Sequence, residues 1–230
     1  EPNGQFGTRL HGGDDSASER YIFTVLNSLT RSVFPEADDP VLHYLNDDGT
    51  LVEPEYYVPI IPFALMNGIS GIGTGFSCSI PSYQPQQVID YLQNKLKGGK
   101  EKVTEFVPYY EGFKGSITKM ADQKYLIKGV YEKVGDDKVR VTELPVGTWT
   151  MPYTSFLEGL MDGVVDKNGK RSPSQIRDFT SISTEVNVDF TITFPRGKLS
   201  DLETSLDATG INGVEKLLKL TTTVSTTNMH

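Results

Sequence analysis

Between residues 115 and 144 apolar and polar residues alternate in short runs: Ser116-Ile117-Thr118, then Tyr125-Leu126-Ile127-Lys128-Gly129-Val130, then Lys138-Val139-Arg140-Val141-Thr142 after a Gly135-Asp136-Asp137 turn. Runs this short with period-two patterning are strands, and turns this tight can join them only antiparallel, so a meander is predicted. Helical spacing near 152–162 and 198–208 flanks a further alternating run from Val186 to Phe194, and a Thr-rich, strand-like stretch follows near the end. Separate strand-rich and helical stretches define an α+β chain.

The first third reads differently. Ser16-Ala17-Ser18-Glu19 has the Ser-x-x-Glu form of a capping box, and Ile22, Leu26, Leu29 and Val33 follow at three-to-four spacing, which predicts a helix over 17–33. Pro35 would stop it, and Pro40, Pro54, Pro59 and Pro62 punctuate an irregular connection with acidic turns. A domain boundary near residue 60 is expected, dividing 1–60 from 61–230. A glycine-rich run from Asn67 to Gly75 comes next, and Pro85 opens a second helix with Val88, Ile89, Leu92 and Leu96 inward, ended by Gly98-Gly99.

The formal charge of −8 argues against a nucleic-acid partner, because phosphate contacts come from Lys and Arg. The excess lies entirely in residues 1–86, with eleven acids against three bases; residues 87–230 are balanced, with lysines clustered at Lys95, Lys97, Lys100 and Lys102 and from Lys114 to Arg140. A solvated face is the simpler reading of such clusters. No apolar run approaches the roughly 20 residues that span a bilayer. With a single cysteine, Cys78, and no secretory start at Glu1-Pro2-Asn3-Gly4-Gln5, an intracellular protein is expected, and both ends read as cut.

Tyr21 directly follows Arg20 in the first turn of the expected helix, where free amides and a guanidinium suit a phosphate. A phenol is almost wholly protonated at neutral pH, its ordinary pKa being about 10, so nucleophilic attack needs a base or metal. Taken alone, Tyr21 reads more simply as a packing residue and Arg20 as a solvated surface one. Ile72, between Gly71 and Gly73, is either a core side chain in a glycine turn or an apolar wedge projecting from it. The Gly71-Ile-Gly-Thr-Gly75 run is no phosphate loop, since no Gly-Lys-Ser/Thr follows. Cys78 and His43 have no chemical partner in sequence and receive no role.

Asn3-Gly-Gln-Phe-Gly-Thr-Arg9, Gly12-Gly13 and Ser16-Ala-Ser-Glu-Arg-Tyr-Ile22 resemble the active-site segment of eukaryotic-type type IIA DNA topoisomerases. The likeness continues through Asp47-Asp48-Gly49, Val52-Glu-Pro-Glu55, Tyr57-Val-Pro-Ile-Ile-Pro62, Asn67-Gly68, Gly71 to Gly75 and Ile80-Pro81, then more weakly through Gly112-Phe-Lys-Gly115, Thr142-Glu-Leu-Pro145, Thr148-Trp-Thr150 and Thr226-Thr-Asn-Met229. The resemblance implies the later part of a winged-helix domain over 1–60 and a mixed α/β tower domain over 61–230. It implies that Tyr21 forms a 5′-phosphotyrosyl link to DNA, that Arg20 steadies the phosphate, and that Arg9 and Gln5 of the wing meet the duplex. Ile72 would enter the base stack, with Gly71, Gly73 and Thr74 against the DNA. It further implies a homodimeric, ATP-dependent enzyme that passes one duplex through a transient double-strand break in another, nuclear in a eukaryote and otherwise viral or organellar.

Two positions depart from the family pattern: Asp14 stands where lysine is usual and Gly147 where arginine is usual. No toprim-like acidic cluster for Mg2+ and no ATP-binding fold is readable, so both groups are expected outside this segment and the isolated chain is expected to be inactive. The competing expectations are a degenerate module that bends DNA without cutting it, and a purely structural dimerisation piece.

Overall fold

The computed structural model describes residues 1–99, 105–163 and 172–229, so Lys100, Lys102 and His230 lie outside the described residues. The chain forms two compact units: Glu1–Asn3, Phe23–Tyr109 and Asn228–His230 make the first, and Gly4–Ile22 with Tyr110–Thr227 make the second.

The first unit is built from two-stranded antiparallel pairs and helices. Strand β1 (Pro2–Asn3) pairs antiparallel with β2 (Phe23–Thr24), and a single helical turn, α1 (Thr30–Val33), follows. The predicted helix over 17–33 is therefore corrected. Glu19–Tyr21 form just a short 3-10 turn that no side chain caps, Ile22 is extended, Phe23–Thr24 are strand, and helix returns only over Thr30–Val33. The cause is the missing packing surface: Leu26 is 83% and Leu29 65% exposed, and a helix of this kind is held mainly by burial of its apolar face. The proline-rich connection is also more regular than expected. Strands β3 (Tyr44–Asp47) and β4 (Thr50–Pro54) form a hairpin whose turn residues Asp48 and Gly49 both have positive φ, +47° and +91°, the geometry that Asp-Gly pairs favour in two-residue turns. Helix α2 (Phe63–Asn67) ends at Gly68 with φ +71°, where a Cβ would sit 2.9 Å from the Ile80 carbonyl oxygen. Strands β5 (Ile69–Gly73) and β6 (Phe76–Ile80) form the next hairpin. Helix α3 (Pro85–Leu96) begins with proline at its first position, as predicted, and buries Val88, but Leu96, expected inward, is 86% exposed in the last turn, where no surface among the described residues meets it.

The second unit holds the main core. Strands β7 (Ser116–Ala121), β8 (Lys124–Lys128), β9 (Val130–Gly135) and β10 (Lys138–Glu143) run in order, but not as one meander. The β7–β8 hairpin joins β13 (Thr221–Ser225) in one sheet, and the β9–β10 hairpin joins β12 (Phe190–Thr193) and β11 (Asp178–Ser181) in another. The break falls at Gly129. Its amide donates to the Leu220 carbonyl at 2.8 Å, and a Cβ there would lie 2.3 Å from the Glu143 carbonyl oxygen, so only glycine lets the backbone pass between sheets so closely. Val139, Val141, Phe190 and Ile192 are buried with Tyr153 and Leu157 of α4 (Thr150–Asp162), Leu199 of α5 (Lys198–Thr204) and Val214 of α6 (Gly213–Leu217). The Tyr153 hydroxyl donates to the Leu218 carbonyl at 2.8 Å, and burial pushes its phenol well above the ordinary range. A capping box at Asn212 and Glu215 starts α6, and the Glu215 carboxylate also takes the Lys128 ammonium at 3.1 Å.

Candidate functional site

Gly4–Ile22 belongs to the second unit and is braced against itself by polar contacts. The Thr8 amide and hydroxyl donate to the two Asp15 carboxylate oxygens at 2.9 and 2.5 Å, which holds the Asp15 carboxyl below its ordinary range. Gly7 has φ +96°, and a Cβ on it would fall 2.4 Å from the Gly13 Cα, so the two arms of the loop touch backbone to backbone. The Ala17 amide donates to the Gln5 carbonyl at 3.0 Å, and a Cβ on Gly4 would lie 3.1 Å from the Tyr21 carbonyl oxygen.

Tyr21 ends the 3-10 turn of this loop and is 68% exposed, with the Arg20 guanidinium 5.9 Å from its ring centroid. Arg20 and Gln5 are exposed as well. Tyr21 thus sits on a three-residue turn, not in a long helix, and no helix dipole of useful length stands behind it; Arg20 is the positive group at hand. Asp14, the departure from the family pattern, is exposed in the same loop.

Arg9 is directed elsewhere. Its guanidinium pairs with the Glu143 carboxylate, and its backbone is tied on both sides: its amide donates to the Glu185 carbonyl at 3.1 Å, and its carbonyl accepts from the Thr150 amide at 3.4 Å. Arg9 and Glu143 line a cleft of about 340 Å³ together with Tyr110, Phe113, Gly147 and Trp149. Gly147, the second departure, has φ +84° and open space where its side chain would be, a conformation that arginine adopts only with strain. Sequence reasoning missed Glu143 and Trp149 as partners of the loop, although both lie within the motifs Thr142-Glu-Leu-Pro145 and Thr148-Trp-Thr150.

Gly71, Ile72, Gly73 and Thr74 belong to the first unit. Ile72 pairs with Ser77 in the β5–β6 ladder, so it lies on a strand just before the turn and not in the turn itself. It is 93% exposed, which removes the core reading. Gly71 and Gly73 have no close neighbour where a Cβ would be, other than the Phe76 carbonyl oxygen 3.9 Å from that of Gly73, so Ile72 stands on a bare hairpin. His43 is exposed and Cys78 half-buried. Among the described residues there is no group of three or more His, Cys, Asp or Glu side chains able to hold a metal ion, and no helix is long and apolar enough to cross a membrane.

The family model for the DNA gyrase/topoisomerase IV A-subunit matches residues 1–230. DNA topoisomerase 2 of Arabidopsis thaliana is 43% identical over 233 residues, covering 100% of this chain and 15% of that protein. Human DNA topoisomerase 2-alpha is 40% identical over 230 residues, covering 100% of this chain and 14% of that protein. The chain therefore spans about a seventh of the length of the curated relatives it matches. Among solved structures, the crystal structure of the Plasmodium falciparum topoisomerase II DNA-binding, cleavage and re-ligation domain superposes with a TM-score of 0.85 at 41% identity, covering 100% of this chain and 29% of that one. A family model matched from first residue to last, and relatives of this identity that carry one enzyme's name, lead to one conclusion: the chain belongs to the DNA gyrase/topoisomerase IV A-subunit family, the type IIA DNA topoisomerases, on the side of the eukaryotic DNA topoisomerase 2 proteins.

Proposed function

We propose that this chain is the part of a type IIA DNA topoisomerase that joins covalently to DNA, with Tyr21 as nucleophile. The observation that carries the reading is the exposed Arg20-Tyr21 pair at the end of a braced loop, within the segment shared with the family. In the reaction the Tyr21 hydroxyl oxygen attacks a backbone phosphorus and the bond to the 3′ oxygen breaks. The 5′ end then stays on Tyr21 and a 3′-hydroxyl is released. Arg20 sets its guanidinium against the phosphate oxygens, where a planar two-point donor serves better than an ammonium. Reversal of the same step reseals the strand.

In this reading 1–60 is the later part of a winged-helix domain and 61–230 a tower domain. The compact units divide the chain differently, because Gly4–Ile22 packs with the residues after 109. Gln5 meets the duplex from the wing, whereas the Arg9 guanidinium, expected there too, is taken up by Glu143, and Ile72 enters the base stack with Gly71, Gly73 and Thr74 beside it. The metal-binding toprim segment and the ATP site are assigned to other parts of a homodimeric enzyme, intracellular and in a eukaryote nuclear. The decisive measurement is peptide mapping of the labelled DNA adduct in the complete enzyme, expected on the peptide that contains Tyr21. An adduct on any other tyrosine overturns the assignment.

A second reading, a module that bends DNA without cutting it, is favoured by the exposed Asp14 in the tyrosine loop, whose charge opposes phosphate at short range. Complete absence of adduct alongside normal DNA bending would select it. Both readings share one prediction about Ile72. Unstacking a base step costs a few kcal/mol, so a wedge is favourable only when the bend brings more protein onto the duplex. Ile72→Ala should lower DNA bending, read by energy transfer between end labels, while changing fold stability by no more than about 0.5 kcal/mol, as for other exposed positions. Normal bending by the variant removes Ile72 from the interface.

A further inference from the structure

We infer that Glu143 is a positioning residue for the nucleophile: its buried carboxylate clamps the tyrosine loop through Arg9. The inference rests on the reading of Tyr21 as the nucleophile. It begins from a misfit between burial and charge, since Glu143 is 1% exposed yet ends a strand of the main sheet, and a carboxylate is kept in such a place only when its lone pairs are met. They are met from three directions. The Leu144 amide donates to Oε1 at 3.1 Å, the Lys114 amide donates to Oε2 at 3.2 Å, and the Arg9 guanidinium supplies the third donor and the opposite charge.

The two amides are local to the sheet and its approach. Arg9 comes from a segment separated by 134 residues in sequence, and among the described residues that segment's ties to the core are gathered around Arg9. The Glu19–Tyr21 turn contains no buried residue, and the internal braces from Thr8 to Asp15 and from Ala17 to Gln5 make the loop stiff without fastening it to the core. Among the described residues, the ties of this stretch to the core beyond the Arg9 side chain are backbone hydrogen bonds from Arg9 to Glu185, Thr150 to Arg9 and Met151 to Leu10, all within two residues of the same point, and the close approach of Gly12 to the Trp149 indole, where a Cβ would fall 2.3 Å from Nε1. The loop is closed at its base by the pairing of Asn3 with Phe23, so it shifts as a stiff body when its tie to the β10 core through Arg9 is loosened. Loosening the Arg9–Glu143 pair should therefore displace Tyr21, although neither residue touches it. A misplacement of about 1 Å in a reacting group lowers rates by about a hundredfold.

The test uses Glu143→Gln, which keeps shape but removes the charge and one acceptor, and Arg9→Met, which leaves Glu143 its two amide donors if the first variant folds poorly. Amide hydrogen exchange of the full chain without DNA should rise by about tenfold or more across Gly4–Ile22 in both variants, with the β10 and β12 core unchanged. In the complete enzyme carrying Glu143→Gln, covalent adduct at saturating DNA should fall by about tenfold or more while DNA affinity and its salt dependence stay within about twofold, because a buried carboxylate meets no phosphate. The Arg9→Met, Glu143→Gln double variant should be no worse than the worse single one. Unchanged exchange in Gly4–Ile22, a loss confined to DNA affinity, or a double variant that multiplies the two single losses overturns the clamp. Failure of the Tyr21 reading is recognised separately, by an adduct on another tyrosine of the unsubstituted enzyme, and leaves the exchange result standing.

Discussion

Replacing Tyr21 by phenylalanine is expected to abolish covalent DNA joining, with a loss on the order of 10⁶-fold, the scale at which enzymes fail when a covalent nucleophile is removed. The substitution deletes one oxygen and leaves the ring. Tyr21 is 68% exposed, and among the described residues no hydrogen bond from its hydroxyl supports the fold, while its backbone amide donates to the Ser18 carbonyl at 2.9 Å and is untouched by the change. The variant should therefore fold, bind DNA and keep its loop. Covalent adduct trapped by denaturant from the complete enzyme is the measurement, and retained cleavage by the phenylalanine variant would remove Tyr21 from the chemistry. Tyr56 and Tyr57 are exposed too, so exposure alone does not single out a nucleophile. What separates Tyr21 is the Arg20 guanidinium beside it and the braced loop beneath it.

The second large effect is on stability. Phe190 is fully buried on β12, the strand between β10 and β11, and its ring meets the Tyr153 ring edge-on at 5.2 Å. Phe190→Ala opens a cavity at the centre of the larger unit and is expected to cost about 3–5 kcal/mol, from lost transfer energy and from contacts that the stiff sheet cannot restore. Chemical denaturation should show the transition of Gly4–Ile22 and Tyr110–Thr227 moving to lower denaturant. Leu26→Ala is the control, with an effect within about 0.5 kcal/mol because its side chain is already in water. A large effect of Leu26 together with a small one of Phe190 would mean that the core is misassigned.

The stretches that sequence reads correctly are those whose pattern and packing agree. Pro85 to Leu96 has the right start and a glycine end, and it is a helix that buries Val88, although Leu96 of the expected inward face is exposed. The alternation around Val139, Val141, Phe190 and Ile192 marks strands, and all four side chains are in the core. Ile72 is ambiguous in sequence between core and surface, since its glycine neighbours serve either, and its exposure decides it. The helix expected over 17–33 has a consistent period but lacks a partner surface. The Asp48-Gly49 hairpin is hidden in sequence because the surrounding prolines and acids mask a two-residue turn.

By itself the sequence determined the α+β class, the family likeness and the neighbourhood of Arg20 and Tyr21, because these depend on residue type, local spacing and motifs kept in order. Only the tertiary structure decided that Gly129 splits the strands between two sheets, that Tyr21 rides on a turn, and that Arg9 answers a buried Glu143. The reason is physical. Periodicity records which face of a segment is apolar, but the free energy that selects helix over extended chain comes from the surface that face meets, and a charge pair spanning 134 residues leaves no local trace in either segment.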